Sequence, residues 1–165
     1  MTNLINLITV ARIILAPTIL LFLILENYLI CILLFFLAGI SDYFDGYLAR
    51  KYRAESQLGE ILDPIADKIL IVFLLIGLSV VLDSYLIATL SSFIIAREIG
   101  VTALRDYSAR NNISDRTKVT YLAKTKTSVQ LFTIGSYLFA LTFSLNLLLV
   151  ISDIFLIITA LITLY

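Results

Sequence analysis

The stretch DYFDGYLARKYRAESQLGEILDPIADK, from Asp42 to Lys68, places four aspartates between two long apolar segments. The preceding segment reads LICILLFFLAGI and the following one reads ILIVFLLIGLSVVL. On the mildest scale, an ionised carboxylate at membrane depth costs about 2.5–3.5 kcal/mol. Four uncompensated carboxylates would cost on the order of 10 kcal/mol, so the sequence predicts a bound partner that neutralises them.

Composition assigns the chain to the membrane proteins. Its 165 residues are 61% hydrophobic, whereas ordinary globular domains are about 45–50% apolar. The length suits one compact helical bundle, so residues 1–165 are expected to form a single domain. The absence of histidine excludes imidazole bases and ligands, and the single cysteine, Cys31, excludes an internal disulfide or a thiolate metal cage. We expect no nucleic-acid partner.

Hydropathy predicts six membrane-spanning helices, each close to the ~20 residues that cross a ~30 Å hydrocarbon core. They lie near residues 4–25, 28–49, 61–82, 85–107, 121–143 and 147–165. Helices are expected throughout, because a membrane span must satisfy its backbone hydrogen bonds internally. We interpret the first segment as a retained helix, since Arg12 interrupts what would be the apolar core of a secretion signal.

Lysine and arginine are concentrated in alternate connections between these helices. The first, third and fifth connections carry neither residue, whereas the second and fourth carry nearly all of the positive charge in or beside them: Arg50, Lys51, Arg53, Arg105, Arg110, Arg116, Lys118, Lys124 and Lys126. Basic loops stay on the cytoplasmic side of a membrane. The pattern therefore predicts an integral protein of a bacterial-type inner membrane, with both termini and the aspartate-rich segment facing the cytoplasm.

The spacing of the aspartates favours a metal site. Asp42 and Asp45 are three residues apart and Asp63 and Asp67 are four apart, so each pair shares one face of its helix. Pro64 is expected in the first helical turn, where no backbone donor is lost. Carboxylates without imidazole or thiolate suit Mg²⁺ or Mn²⁺. Two such ions would balance four carboxylates and leave positions for phosphate oxygens, as in paired-metal phosphoryl transfer.

Three alternatives remain open from the residues alone. Local ion pairs, such as Asp45 with Arg50 or Asp67 with Lys68, would give the aspartates a structural role, including a role in assembly with a partner. Intramembrane carboxylates also serve proton relays and cation transporters. Transport is the stronger of these rivals to a metal site. Two features count against it: the aspartates cluster at one membrane face, and no paired repeat halves are visible.

Eight residues fit the pattern D-x2-D-G-x2-A-R-x8-G-x3-D-x3-D: Asp42, Asp45, Gly46, Ala49, Arg50, Gly59, Asp63 and Asp67. Together with the six-helix plan, this pattern resembles the signature of the CDP-alcohol phosphatidyltransferase family. The resemblance implies a helical membrane enzyme, expected to be a homodimer. Such an enzyme uses two divalent metal ions to transfer the phosphatidyl group of CDP-diacylglycerol to an alcohol and releases CMP.

The resemblance also implies roles for individual residues. The four aspartates would hold the metals, and Asp67 would also be the general base that takes the proton of the attacking hydroxyl. The residues expected to contact CDP-diacylglycerol are Gly46, Ala49, Arg50, Ser56, Gly59, Asn6 and Thr9. Asn6 and Thr9 match the Asn-x-x-Thr segment of the family, although Ile5 stands where relatives often carry proline. Helix capping is an alternative role for these two residues.

The second half of the chain bears on the acceptor alcohol. The runs AREIGVTALRDY, Ala96 to Tyr107, and AKTKTSVQ, Ala123 to Gln130, resemble the phosphatidylglycerophosphate synthase branch, which implies glycerol 3-phosphate as acceptor. A dianionic acceptor requires a basic pocket, and guanidinium groups suit phosphate. The candidates are Arg97, Arg105, Lys124 and Lys126. Inositol phosphate would suit the same pocket, serine would suit it less, and ordinary flanking charge is the alternative role for these residues.

Overall fold

The computed structural model describes residues 2–52, 57–111 and 121–164, and these residues form six α-helices. They are α1 (Thr2–Ile24), α2 (Tyr28–Tyr52), α3 (Gln57–Val81), α4 (Tyr85–Arg110), α5 (Tyr121–Thr142) and α6 (Asn146–Leu164). The predicted all-helical architecture is confirmed for these ranges. The prediction for Pro64 is wrong, because α3 already begins at Gln57 and Pro64 therefore lies in the helix interior.

Three apolar segments are long enough to cross a membrane within the described part of the chain: Leu7–Ile24, Tyr85–Leu104 and Asn146–Thr163. A shorter apolar stretch, Tyr28–Asp42, occupies the first part of α2. Helices of this length and composition bury their backbone polar groups internally and leave apolar side chains for lipid. They identify an integral membrane protein.

The six helices close into a ring. α1 packs between α2 and α3, α4 packs on α3 and α6, and α5 packs on α2 and α6. α3 also reaches α5 across the middle of the ring. Fully buried side chains such as Ile19 and Leu23 of α1 and Leu74 and Leu78 of α3 form part of the core. α2 and α3, which carry the aspartates, thus flank α1.

Gly77 of α3 allows α1 to pack closely. A Cβ atom at this position would lie 2.6 Å from Cδ1 of Leu20 and 2.7 Å from Cδ2 of Leu23, so a larger residue would displace these two leucine side chains from their present packing. Small residues at membrane helix interfaces let backbones approach in this way. The close packing holds α1 against the helix that carries Asp67.

Three short connections reverse the chain with the same geometry. Glu26, Asp83 and Ser144 have positive φ angles of 58°, 43° and 54°. In the first connection the amide of Glu26 bonds the carbonyl of Leu23 at 3.1 Å, and the amide of Asn27 bonds that of Phe22 at 2.9 Å. This pairing is the Schellman motif, which usually places glycine at the left-handed position. These connections leave α1, α3 and α5, so they do not include the aspartate-rich segment between α2 and α3.

A polar seam joins α5 to α6. Its three contacts are Thr133 with Thr159 at 3.0 Å between hydroxyl oxygens, Ser136 with Ser152 at 2.6 Å, and the Tyr137 hydroxyl, which donates to Oδ1 of Asp153 at 2.5 Å. Hydrogen bonds between membrane helices stabilise their association where apolar packing has no advantage over lipid. We refer to these six residues as the α5–α6 seam.

Candidate functional site

Arg12 lies at the centre of the site. Its side chain, on the otherwise uncharged α1, is 1% exposed. Its Nη1 donates to Oδ1 of Asp42 at 2.6 Å and to Oδ1 of Asp67 at 2.8 Å. A charged side chain inside a membrane helix requires a charged partner, and here one nitrogen of Arg12 contacts two carboxylates. Arg12 therefore links the acidic positions of α2 and α3 through α1.

The structure brings two of the four predicted metal ligands together. The side chains of Asp42 and Asp67 converge on the same nitrogen of Arg12 and remain 52% and 42% exposed. Asp45 and Asp63 lie on α2 and α3 about one helical turn from Asp42 and Asp67, but their side chains lie outside the described residues. The oxygen-only donor set and the exposure of both described carboxylates fit a hard divalent cation.

A large cavity of about 1070 Å³ adjoins these carboxylates. Most of its wall is apolar and comes from α2 and α5, including Phe35, Phe36, Ile40, Phe44, Leu131, Phe132 and Phe139. Arg12, Asp42 and Asp67 contribute polar wall. Gly39 also lines this cavity, and nothing lies within 4 Å of the position that its Cβ would take. The cavity thus combines an apolar space of lipid character with an acidic centre.

A smaller cavity of about 200 Å³ lies among α3, α4 and α5. Its polar wall includes Lys68, Glu98 and Gln130. Asp67 and Thr127 line both cavities. The Asp67 carboxylate therefore stands between a large, mainly apolar space and a smaller one whose wall is more polar.

A cluster of polar contacts surrounds the small cavity. Glu98 forms an ion pair with Lys126 and accepts a hydrogen bond from Nε2 of Gln130 at 3.5 Å. Lys68 donates to the hydroxyl of Thr102, which itself donates to the carbonyl of Glu98 at 2.7 Å. The local pairing considered above, Asp67 with Lys68, is thus replaced by longer-range contacts: Arg12 binds Asp67, and Lys68 reaches α4.

The four residues predicted to bind the acceptor alcohol differ in where the structure places them. Lys126 is buried against Glu98, next in sequence to Thr127 of the small cavity. Arg97 is half-buried on α4, and among the described residues it is not part of the wall of either cavity. The side chains of Arg105 and Lys124 lie outside the described residues. Their expected role in binding glycerol 3-phosphate stays a prediction.

The predicted nucleotide residues are placed only in part. Thr9 is fully buried on α1, three residues before Arg12 and hence on the same helix face. Gly59 is buried on α3. The side chains of Asn6, Ala49 and Arg50, the surroundings of Gly46 and the whole of Ser56 lie outside the described residues. The role of all these positions in binding the nucleotide stays a prediction.

Sequence reasoning missed two residues of the site. Arg12 was considered only as an interruption of an apolar segment, although the need of a buried cation for a partner was a usable signal. Glu98 received no role from the sequence. Its partner Lys126 lies 28 residues later on another helix, and no local pattern connects the two.

Comparison with known sequences finds similar proteins over most of the chain. The sequence model of the CDP-alcohol phosphatidyltransferase family matches residues 2–165. The chain is 43% identical over 136 residues to a Rickettsia bellii protein named CDP-diacylglycerol–glycerol-3-phosphate 3-phosphatidyltransferase, covering 81% of this chain and 73% of the relative.

Two further relatives carry the same name. The Haemophilus influenzae protein is 34% identical over 137 residues, covering 79% of this chain and 72% of the relative. The Blochmanniella floridana protein is 42% identical over 103 residues, covering 62% of this chain and 54% of the relative. The chain thus spans about half of the Blochmanniella relative and nearly three quarters of the other two.

Proposed function

The chain belongs to the CDP-alcohol phosphatidyltransferase family, and from that premise we propose that it transfers the phosphatidyl group of CDP-diacylglycerol to glycerol 3-phosphate. The products are phosphatidylglycerophosphate, a phospholipid precursor, and CMP. The observation that carries the proposal is the position of Asp67 on the wall common to both cavities. The names of the relatives support the choice of donor and acceptor.

The large cavity suits the lipid donor. Its wall is mainly aromatic and aliphatic, and its volume of about 1070 Å³ is at the upper end of ligand sites, which span about 300–1,000 Å³. The acidic centre formed by Asp42 and Asp67 lies in the same wall. A diacyl donor would thus place its chains against the phenylalanines and its diphosphate near the carboxylates.

The small cavity suits the acceptor. Its volume of about 200 Å³ and the polar side chains in its wall fit a compact, hydroxylated phosphate. Lys68 contributes a cation to this wall, and we propose Arg105, Lys124 and Lys126 as further basic groups for the acceptor, with Arg97 acting from outside the described wall. Glu98 and Gln130 can accept hydrogen bonds from the hydroxyls of a glycerol unit. An acceptor held here lies beside Asp67.

The mechanism follows from this placement. The primary hydroxyl of glycerol 3-phosphate attacks the lipid-side phosphorus of the diphosphate, and a new oxygen–phosphorus bond forms. The bond between that phosphorus and the bridging oxygen breaks, and CMP leaves with that oxygen. Asp67 accepts the proton of the attacking hydroxyl, because its carboxylate lies on the wall of the acceptor cavity.

The proposed cofactor is a pair of Mg²⁺ or Mn²⁺ ions held by Asp42, Asp45, Asp63 and Asp67. Bound there, the ions would supply electrostatic stabilisation of the transferred and leaving phosphate groups. The chain's own residues bring the two described carboxylates together and keep them open to the large cavity. The aspartates lie on two different helices, so α1 has to hold those helices at the required separation.

The proposal includes a membrane arrangement. All six helices span a bacterial inner membrane as a single domain, residues 1–165, with both termini and the active site on the cytoplasmic side. The concentration of lysine and arginine in the second and fourth connections supports this orientation. The exposed apolar side chains of every helix provide surface for lipid and for a second copy of the chain in a homodimer.

The experiment uses the full chain purified in detergent and supplied with CDP-dioleoylglycerol and Mg²⁺. CMP release is measured with glycerol 3-phosphate, inositol phosphate and serine as separate acceptors. We expect turnover and a phosphatidylglycerophosphate product with glycerol 3-phosphate only. Equal or faster turnover with another acceptor would reject the proposed acceptor, and no CMP release with any of them would reject the reaction.

A binding measurement separates this enzyme from a cation or proton transporter that uses the same carboxylates. We expect CMP to raise the thermal unfolding temperature of the purified protein in the presence of Mg²⁺, because the proposed site binds that nucleotide. EDTA should abolish the effect. A transporter would show no protection by CMP under either condition.

A further inference from the structure

Arg12 and the two aspartates that it contacts differ in solvent exposure. The arginine side chain is 1% exposed, whereas those of Asp42 and Asp67 are 52% and 42% exposed. A salt bridge with a purely structural role would be expected to bury its acidic members as well as its basic one. Here the cation is enclosed and both anions remain open to the large cavity, so a soluble ligand can reach the carboxylates.

The hydrogen bonds of Arg12 define where these carboxylates lie. One nitrogen, Nη1, donates to Oδ1 of both aspartates, at 2.6 Å and 2.8 Å. Each of its two N–H bonds thus serves an acid from a different helix, α2 or α3. The guanidinium is planar and its donors are rigidly arranged, so it restricts the separation and orientation of the two carboxylates.

The charge balance still favours a further cation. Among the described contacts, one guanidinium lies opposite two carboxylates, and the sequence places two further aspartates, Asp45 and Asp63, on the same two helices. Partners that hydrogen-bond to metal-ligating carboxylates fix their orientation, and removing such a partner typically weakens metal binding about 10–100-fold. The position of Arg12 is that of such a partner.

We propose that Arg12 is a positioning residue that orients Asp42 and Asp67 for divalent-cation binding by donating from one nitrogen to both carboxylates. This inference rests on the proposed function, which assigns the same carboxylates to the metal site. It adds a requirement that the acidic motif does not contain: a cation contributed by α1. Arg12 acts through the two aspartates and transfers no proton.

The test is Mg²⁺ binding to the purified full chain, measured by isothermal titration calorimetry without any substrate. We expect Arg12→Gln to weaken Mg²⁺ binding about 10–100-fold. The control is Asp153→Asn, which also removes one charge but lies in the α5–α6 seam, outside the described wall of either cavity. Its Mg²⁺ affinity should equal that of the wild type.

A second readout separates positioning from loss of fold. If Arg12 only orients the ligands, the Mg²⁺ concentration for half-maximal CMP release should rise in Arg12→Gln, while turnover at saturating Mg²⁺ should largely recover. Arg12→Lys keeps the positive charge but replaces the planar group by a flexible ammonium. This variant decides the question if Arg12→Gln does not fold, and we expect it to bind Mg²⁺ more weakly than the wild type.

The outcomes are distinct. Unchanged or tighter Mg²⁺ binding in folded Arg12→Gln, or wild-type affinity in Arg12→Lys where the glutamine variant does not fold, would overturn the inference and leave the metal site intact. Tighter binding would indicate that the arginine competes with the metal. No Mg²⁺ or Mn²⁺ binding by the wild type would overturn the proposed metal site and, with it, this inference.

Discussion

Glu98 of α4 and Lys126 of α5 form an ion pair whose side chains are only 19% and 8% exposed. The pair borders the small cavity, because Glu98 and Thr127, the neighbour of Lys126, both lie in its wall. This contact joins Lys126, one of the basic residues predicted to bind the acceptor, to an acid on another helix. Glu98 thus limits the positions that the Lys126 ammonium can take.

The first prediction concerns the coupling within this pair. Lys126→Met and Glu98→Gln should each lower the free energy of unfolding, because each removes one member of a largely buried ion pair. The double variant should lose less than the two singles together, with an interaction energy of about 0.5–3 kcal/mol. Unfolding in mixed detergent and SDS micelles measures these values.

A control cycle for this coupling combines Lys126→Met with Asp153→Asn. Asp153 contacts Tyr137, which lies 11 residues beyond Lys126 on the same helix, a distance of about 16 Å along its axis. Sites so far apart are expected to be additive. Additive losses in the Glu98–Lys126 cycle as well would contradict the predicted coupling.

The second prediction concerns the proposed general base. Asp67→Asn should lower kcat for CMP release by at least about 10²–10⁴-fold, the usual contribution of a general acid or base. The control is Asp153→Asn, which removes the charge of an aspartate that contacts Tyr137 in the α5–α6 seam and is not part of the described wall of either cavity. It should retain most of the activity. Equal losses in both variants would argue against a special role for Asp67.

The third prediction uses the open space beside Gly39. Gly39→Leu should place its side chain in the large cavity without displacing a neighbour, since nothing lies within 4 Å of its Cβ position. We expect several-fold slower turnover of CDP-dioleoylglycerol, because each lost apolar contact weakens binding by about 0.8 kcal/mol per methylene. A short-chain donor should be affected less.

The matched control for Gly39 is Gly100→Leu on α4. Its Cβ position is equally open, but Gly100 is not part of the described wall of either cavity. Both variants make the same change within a helix and should gain helix propensity equally. If they have the same turnover with both donors, the large cavity does not bind the acyl chains.

The fourth prediction concerns the α5–α6 seam. Tyr137→Phe removes the hydroxyl that donates to Asp153 at 2.5 Å. It should lower the free energy of unfolding by about 0.6 kcal/mol, the average for hydrogen bonds between membrane helices, and by no more than about 1.7 kcal/mol. The change should leave Mg²⁺ binding unaltered. Unfolding in SDS-containing micelles measures the loss, and an unchanged stability would contradict a stabilising seam.

The sequence alone predicted the six helices, and its acidic motif indicated where the site lies. Hydropathy and backbone hydrogen bonding act over one or two turns, so the apolar segments indicated six helices close to the observed bounds. The spacing of the aspartates placed Asp42 and Asp67 on two helices of one site and indicated the family, which the comparison confirms. The prediction that Pro64 lies in the first helical turn is wrong, because the residues before it extend α3 back to Gln57 rather than forming a loop.

Only the tertiary structure decided what lies opposite those aspartates. Arg12 is 30 residues from Asp42 and 55 from Asp67, and it reaches both because α1 packs between α2 and α3. Close packing at Gly77 is a property of two helix surfaces together, as is the pairing of Glu98 with Lys126. Local sequence determines which segments become helices, whereas the choice of neighbours depends on how all the surfaces fit around one another.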